Sequence, residues 1–200
     1  MACTHDEHDE KEKILKLAGL SKSTKREEGE KKFVAVGNKA CGKTSFIECF
    51  ILTDNLHPEI HTLDPMRKVI VRNNQLLNLV FRELPSSDSE FDVDVRARAY
   101  PGSAVVFLCF AIDDRHSFGD IFKWHAEAKK YVPDAKFFVI GCKMDTRVDD
   151  GSVSREEGLN MSGCIRATKY YECSAMSGLR VALNIKDFVN ILSTLPLKFK

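Results

Sequence analysis

Phe33-Val34-Ala35-Val36-Gly37-Asn38-Lys39-Ala40-Cys41-Gly42-Lys43-Thr44 is the stretch whose reading decides the fold. Its first four residues are a short apolar run of the kind that forms a buried strand. The next eight match G-x-x-x-x-G-K-[ST] in full, and residues 44–52 read as a helix. A strand, a glycine loop and a helix in that order are the context that makes the pattern a phosphate-binding loop. Gly37 and Gly42 let backbone N–H groups curl around a polyphosphate seated on the positive end of the helix. Lys43 adds a mobile positive charge for the β- and γ-phosphates, and the Thr44 hydroxyl suits a Mg²⁺ ligand. Asn38, Lys39, Ala40, Cys41 and Ser45 complete the expected nucleotide contacts of the loop.

Outward from this stretch the chain alternates between two periods. Residues 68–72 and 76–81 are strand-like and flank Asn73-Asn74, a plausible tight hairpin turn. Residues 104–110 are almost continuously apolar, as a strand covered on both faces demands. Phe118, Ile121, Phe122, His125 and Ala128 repeat at helical spacing. Strands follow at 136–140 and 169–173, and an amphipathic helix at 179–192 carries Ala182, Ile185, Val189 and Leu192 on one face. One early hairpin followed by alternating strands and helices indicates an α/β sheet with helices on both faces. Residues 1–31 differ: the segment 1–32 holds eight acids and eight bases, and its one aliphatic cluster lies around Ile14-Leu15 and Leu17. They read as a charged, flexible N-terminal extension, and residues 32–200 as the domain.

Composition excludes several classes. Thirty Lys and Arg against twenty-nine Asp and Glu leave a net charge of +1, which gives no footprint for nonspecific nucleic-acid binding. The longest apolar run, 104–112, is about half of what a membrane-spanning helix needs. The start has no apolar signal segment, and the seven cysteines include no CxxC pair, so reduced thiols in a cytoplasmic protein are expected. His57 and His61 are spaced four apart, but Pro58 between them argues for a loop and against a metal site.

Two later segments choose among nucleotide-binding proteins. Val139-Ile140-Gly141-Cys142-Lys143-Met144-Asp145 follows one strand, and Tyr170-Tyr171-Glu172-Cys173-Ser174-Ala175 ends the next. With the phosphate loop ahead of them, these resemble the N-K-x-D and S-A-K motifs of the Ras-like small GTPases. Ala40-Cys41-Gly42-Lys43-Thr44, Tyr100-Pro101 and Tyr171-Glu172-Cys173-Ser174-Ala175 resemble the Rho branch most. The likeness runs over about residues 33–192. It implies a P-loop small G-domain with a six-stranded, mostly parallel sheet, and GTP or GDP with Mg²⁺ as ligand. By the same resemblance Asp145 accepts hydrogen bonds from guanine N1 and N2, and the Lys143 stem lies along the base. The Ala175 N–H bonds the guanine carbonyl oxygen, with Ser174 and Met176 beside it. Cys142 stands where the family has Asn, and a thiol cannot reproduce the amide's hydrogen bonds.

The departures from the family pattern concentrate in the segments that respond to the γ-phosphate. Thr62 lies at the family's distance for the first-switch Thr, a Mg²⁺ contact alongside Thr44, whereas aligning on Pro58 puts Asp64 there instead. Where the family reads D-x-x-G-Q, this chain reads Glu83-Leu84-Pro85-Ser86-Ser87. Glu83 can do the Asp's work through one more methylene, but Pro85 has no N–H, Ser86 lacks glycine's freedom, and no glutamine follows. Lys39 replaces a glycine and is expected to obstruct the site or to point to solvent. The last cysteine is Cys173, so no C-terminal prenylation box, and hence no prenyl anchor, is expected. The family's insert helix is also missing, since only 28 residues separate Asp145 from Ser174. The expected function is a monomeric Rho-like switch with very slow hydrolysis, meeting effector, exchange-factor and regulator proteins. The alternative is a pseudo-GTPase interaction module that does not cycle.

Overall fold

The computed structural model describes residues 26–52, 65–72, 75–148 and 151–176. Six strands form one sheet: β1 (Arg26–Gly37), β2 (Met66–Arg72), β3 (Gln75–Glu83), β4 (Ser103–Ala111), β5 (Lys136–Cys142) and β6 (Lys169–Glu172). Their order is β2-β3-β1-β4-β5-β6, with β2 and β3 antiparallel and every other neighbouring pair parallel. The hairpin expected from the sequence is present, with Arg72 paired to Gln75; its turn residues 73–74 lie outside the described residues. So do residues 1–25 of the expected extension 1–31, the segment holding His57, His61, Thr62 and Asp64, and the helix expected at 179–192.

Side-chain alternation along β1 divides the core into two layers. Phe33 and Ala35 face one layer together with Phe46, Ile47, Phe50 and Ile51 of α1 (Lys43–Leu52). Val34 and Val36 face the other, covered by α2 (Glu90–Ala99), α3 (Arg115–Gly119), α4 (Ile121–Tyr131) and α5 (Arg155–Cys164). The fold is therefore α/β with helices on both faces. Among the described residues no helix is long and apolar enough to cross a membrane.

Two local readings are corrected by the structure, and one helix is new. Strand β1 starts at Arg26, not Phe33, because Glu30, Lys31 and Lys32 pair with Asn78, Leu79 and Val80 of β3 despite their charge. The helical stripe expected from Phe118 to Ala128 is two helices joined at Asp120, and its buried members are Ile121, Trp124 and Ala128. Phe122 is exposed and His125 only half-buried. Helix α2 has no counterpart among the elements expected from the sequence, its Phe91, Val93 and Val95 alternating with acids. Its ends decide the matter: Ser89 accepts from the Asp92 N–H, and acids open the helix while Arg96 and Arg98 close it.

Candidate functional site

The phosphate loop leaves β1 where the chain order reverses, with β3 on one side and β4 on the other, the usual crevice for a ligand in such sheets. Gly37 has a φ of 150°, and a Cβ there would sit 2.1 Å from the Cys109 carbonyl oxygen, so no side chain fits. Cys41 donates its thiol to that same carbonyl at 3.4 Å. The loop then wraps Lys43, whose side chain is almost fully buried. Its ammonium donates to the Gly37 carbonyl at 3.2 Å, the Asn38 carbonyl at 2.9 Å and the Ser86 hydroxyl at 2.9 Å. Lys39 and Ala40 are exposed at the tip, Ala40 with a φ of 60°.

The Asn38 side chain faces away from the loop's interior. Trp124 Nε1 donates to Asn38 Oδ1 at 2.8 Å, and Asn38 Nδ2 donates to Asp120 at 2.7 Å. The phosphate loop is thereby tied to the start of α4. Nothing in the sequence pattern of the loop announces this contact; the spacing 117, 121, 124, 128 would have put Trp124 on the buried face.

Glu83 and Ser86 close the other side of the cradle. Thr44 Oγ1 donates to Glu83 Oε2 at 2.5 Å, and Lys43 Nζ lies 3.6 Å from Glu83 Oε1. Glu83 therefore reaches the position expected of it, beside the Thr44 hydroxyl. The residues after it are held from below. Arg96, fully buried, donates to the Pro85 carbonyl at 3.2 Å and the Ser87 carbonyl at 2.5 Å. It also forks onto Glu127 at 2.7 and 2.8 Å and packs over the Trp124 ring at 5.1 Å. Lys123 pairs with Asp88 at 2.7 and 2.6 Å.

On the far side of Lys43 a cavity of about 570 Å³ opens at the carboxyl ends of β5 and β6. Gly42 and Ser45 form its edge next to the phosphate loop, and Cys142, Lys143 and Asp145 form one wall. Ala175 and Met176 form another, while Ser174 is buried behind them. Of the sequence-predicted residues, Gly42, Ser45, Cys142, Lys143, Asp145, Ala175 and Met176 thus meet around one space, whereas residues 38–41, Lys43, Thr44 and Ser174 do not line it; Thr62 lies outside the described residues. Lys143 adopts a φ of 58°, which starts the short 3₁₀ turn Met144–Thr146 and leaves Asp145 exposed. Thr146 fixes that turn with its N–H and hydroxyl, both on the Lys143 carbonyl at 3.0 and 2.8 Å.

Cys142 forms the floor. A Cβ on Gly42 would come within 2.9 Å of the Cys142 Cβ, so the two loops touch by packing. The Cys142 thiol bonds sideways to Cys109 and Cys173, and the Cys109 contact with burial holds it well above the usual thiol range. Two further residues escaped the sequence reading: Arg147 pairs with the buried Glu172 at 2.6 Å, just beyond the turn that carries Asp145. Glu172 ends the buried run Tyr170-Tyr171-Glu172, and a buried acid requires a partner.

Hard oxygen donors at Thr44 and Glu83, next to a loop shaped for phosphate, fit Mg²⁺, which takes few protein ligands and shares the rest with phosphate and water. Among the described residues no cluster of three or more His, Cys, Asp or Glu forms a metal cage.

Comparison with known proteins agrees with this geometry. The family model of the Ras family matches residues 32–194. Human Rho-related GTP-binding protein RhoD is 30% identical over 157 residues, 72% of this chain and 74% of the relative. Human Rho-related GTP-binding protein RhoE is 29% identical over 160 residues, 72% of this chain and 64% of the relative. GTP-binding protein RHO1 of Saccharomyces cerevisiae is 30% identical over 164 residues, 76% of this chain and 78% of the relative. The chain belongs to the Ras family, among its Rho-type members.

Proposed function

We propose that this protein is a guanine-nucleotide-binding switch of the Rho type that takes GTP or GDP with Mg²⁺ and hydrolyses GTP very slowly. The observation that carries the reading is the meeting of two sites. Gly42 and Ser45, which flank the buried Lys43 and Thr44 in the chain, line a cavity walled by Lys143, Asp145 and Ala175. A polyphosphate on the loop leaves its base in that cavity. There Asp145 accepts from guanine N1 and N2, a pairing adenine cannot make, and sites built on such bonds discriminate strongly. Thr44 and Glu83 would hold the Mg²⁺, which supplies charge neutralisation between the phosphates.

Slow hydrolysis follows from what surrounds the γ-phosphate side. No glutamine follows Glu83 to orient a water, and Pro85 has no N–H to donate. The reading extends to a monomeric domain in the cytoplasm that works through effector, exchange-factor and regulator proteins. A second reading, a pseudo-GTPase interaction module that never cycles, is favoured by one specific observation. Arg96, Lys123 and Lys43 together hold residues 85–88, the segment that would have to move. Competition against a labelled guanine nucleotide tests the first reading: GTP and GDP displace it, ATP does not. Equal displacement by ATP and GTP would falsify the guanine assignment. Binding without turnover or exchange selects the second reading.

A further inference from the structure

Cys142 leaves the base-binding turn without a side-chain hydrogen bond of its own, since the thiol's bonds run sideways to Cys109 and Cys173. Thr146 closes the turn on the Lys143 carbonyl, and the Met144 N–H ties it to the Cys173 carbonyl at 3.0 Å, but no side chain among these links it to β6. Arg147, two residues beyond Asp145, supplies this link. Arg147 Nη2 donates to Glu172 Oε1 at 2.6 Å and Nη1 to Oε2 at 3.3 Å, while Nε and Nη2 both reach the Val153 carbonyl, at 3.3 and 3.1 Å. Glu172 is buried, and it also accepts from the Tyr170 hydroxyl at 2.9 Å and from Arg155 at 3.5 Å. Its strand runs straight on into Ser174 and Ala175. The ion pair therefore adds a side-chain brace to the backbone bond between Met144 and Cys173, joining the two segments that wall the cavity: the turn carrying Lys143 and Asp145, and the segment after β6 that carries Ala175.

We infer that Arg147 and Glu172 are positioning residues that set the preference for guanine by holding the Asp145 carboxylate where it meets the exocyclic amine; this rests on the guanine reading above. Neither residue lines the cavity, so neither touches the base. Their effect runs through geometry. A planar guanidinium forked across a carboxylate fixes both distance and angle, which a lysine on the same carboxylate cannot. Burial makes the coupling stiff, because a buried carboxylate that loses its partner must rearrange or take up a proton.

Hypoxanthine is the probe that isolates this role, since it keeps guanine's ring but lacks the 2-amino group. Dissociation constants for GDP and IDP, with melting temperatures, are measured for the unmodified protein and for Arg147→Lys, Arg147→Met and Glu172→Gln. The unmodified protein is expected to prefer GDP by about 10- to 100-fold, the worth of one hydrogen bond to a charged group. Arg147→Met and Glu172→Gln are expected to reduce that preference to below about threefold, with Arg147→Lys in between. A purely structural ion pair would instead lower the melting temperature, or weaken GDP and IDP together, with the ratio intact; that result overturns the inference while leaving the guanine reading standing. Arg147→Lys keeps the charge and decides the matter if the other variants fail to fold. An unmodified protein that binds GDP and IDP equally overturns the guanine reading and the inference together.

Discussion

The two sides of Lys43 differ in how they are built. On the side proposed for the base, the cavity is walled by Lys143, Asp145 and Ala175, residue types that the Rho-type pattern predicts. On the side proposed for the γ-phosphate, Glu83, Pro85, Ser86 and Lys39 all depart from that pattern; residues 85–88 are held in place by Arg96, Lys123 and Lys43 itself, while Lys39 is exposed. Recognition needs fixed donors and acceptors; turnover needs a placed water and a segment that responds to one phosphate. The two demands fall on different residues, so a chain can keep the first while losing the second. Ser86 illustrates how. Its hydroxyl accepts from the Lys43 ammonium, so a phosphate arriving there competes with a bond the protein already makes.

The largest effect is expected at the residue both sides share. Lys43→Met removes a buried ammonium with three oxygen partners. Affinity for GDP and GTP should fall by about 100-fold or more, since a charged hydrogen bond contributes about 1.5–3 kcal/mol and more than one is lost. Equilibrium titration with a fluorescent guanine nucleotide measures it. A loss under threefold would mean that the loop is not the phosphate site.

Asp145→Asn sharpens the base side alone. An amide can donate where a carboxylate only accepts, so preference should move from guanine toward xanthine by about 10- to 100-fold. Competition between GDP and xanthosine diphosphate reads the shift directly. A uniform weakening of both would place Asp145 outside the base contact.

Glu83→Ala addresses the other side. Its carboxylate sits 2.5 Å from the Thr44 hydroxyl, and removing it takes away one hard donor near the cation. The Mg²⁺ concentration needed to retain nucleotide should rise by about tenfold, a free-energy change of about 1.4 kcal/mol. Nucleotide release measured across a Mg²⁺ series checks this. An unchanged Mg²⁺ requirement would assign the cation to Thr44 and the nucleotide phosphates without Glu83.

The same division appears in what the sequence made legible. Short motifs with fixed spacing pointed to Gly42, Lys143, Asp145 and Ala175, and the structure brings these four around one cavity. The alternating apolar runs carried the sheet. Contacts made at a distance left no such signature. Asn38 meets Trp124 across 86 residues, Arg96 meets Glu127 across 31, and Arg147 meets Glu172 across 25. Each is visible as an isolated polar or aromatic residue with no stated partner until the helices are packed. The helices follow suit. Helix α2 rests on its caps and not on an apolar stripe, and at Asp120 the backbone breaks a stripe whose buried face falls on Trp124 instead of Phe122.

The smallest expected effect concerns Lys39, and it tests whether the γ-phosphate side has any catalytic device left. Lys39 is exposed at the tip of the phosphate loop, whereas Lys43 fills the cradle. Long basic side chains in such places remain in solvent, their charge screened by water. Intrinsic turnover in Ras, with its glutamine present, is only about 3–5 × 10⁻⁴ s⁻¹. Without a residue that orients water, this chain should run at least about tenfold slower, each 1.4 kcal/mol of lost transition-state stabilisation costing a factor of ten. Lys39→Gly should then change the single-turnover rate of preloaded GTP by less than about threefold, because a solvated ammonium contributes little to a developing charge. The opposite outcome is equally sharp. An unmodified protein at or above the Ras rate that slows about tenfold in Lys39→Gly would make Lys39 an internal cationic finger, and the γ-phosphate side would then be rebuilt for turnover rather than stripped of it.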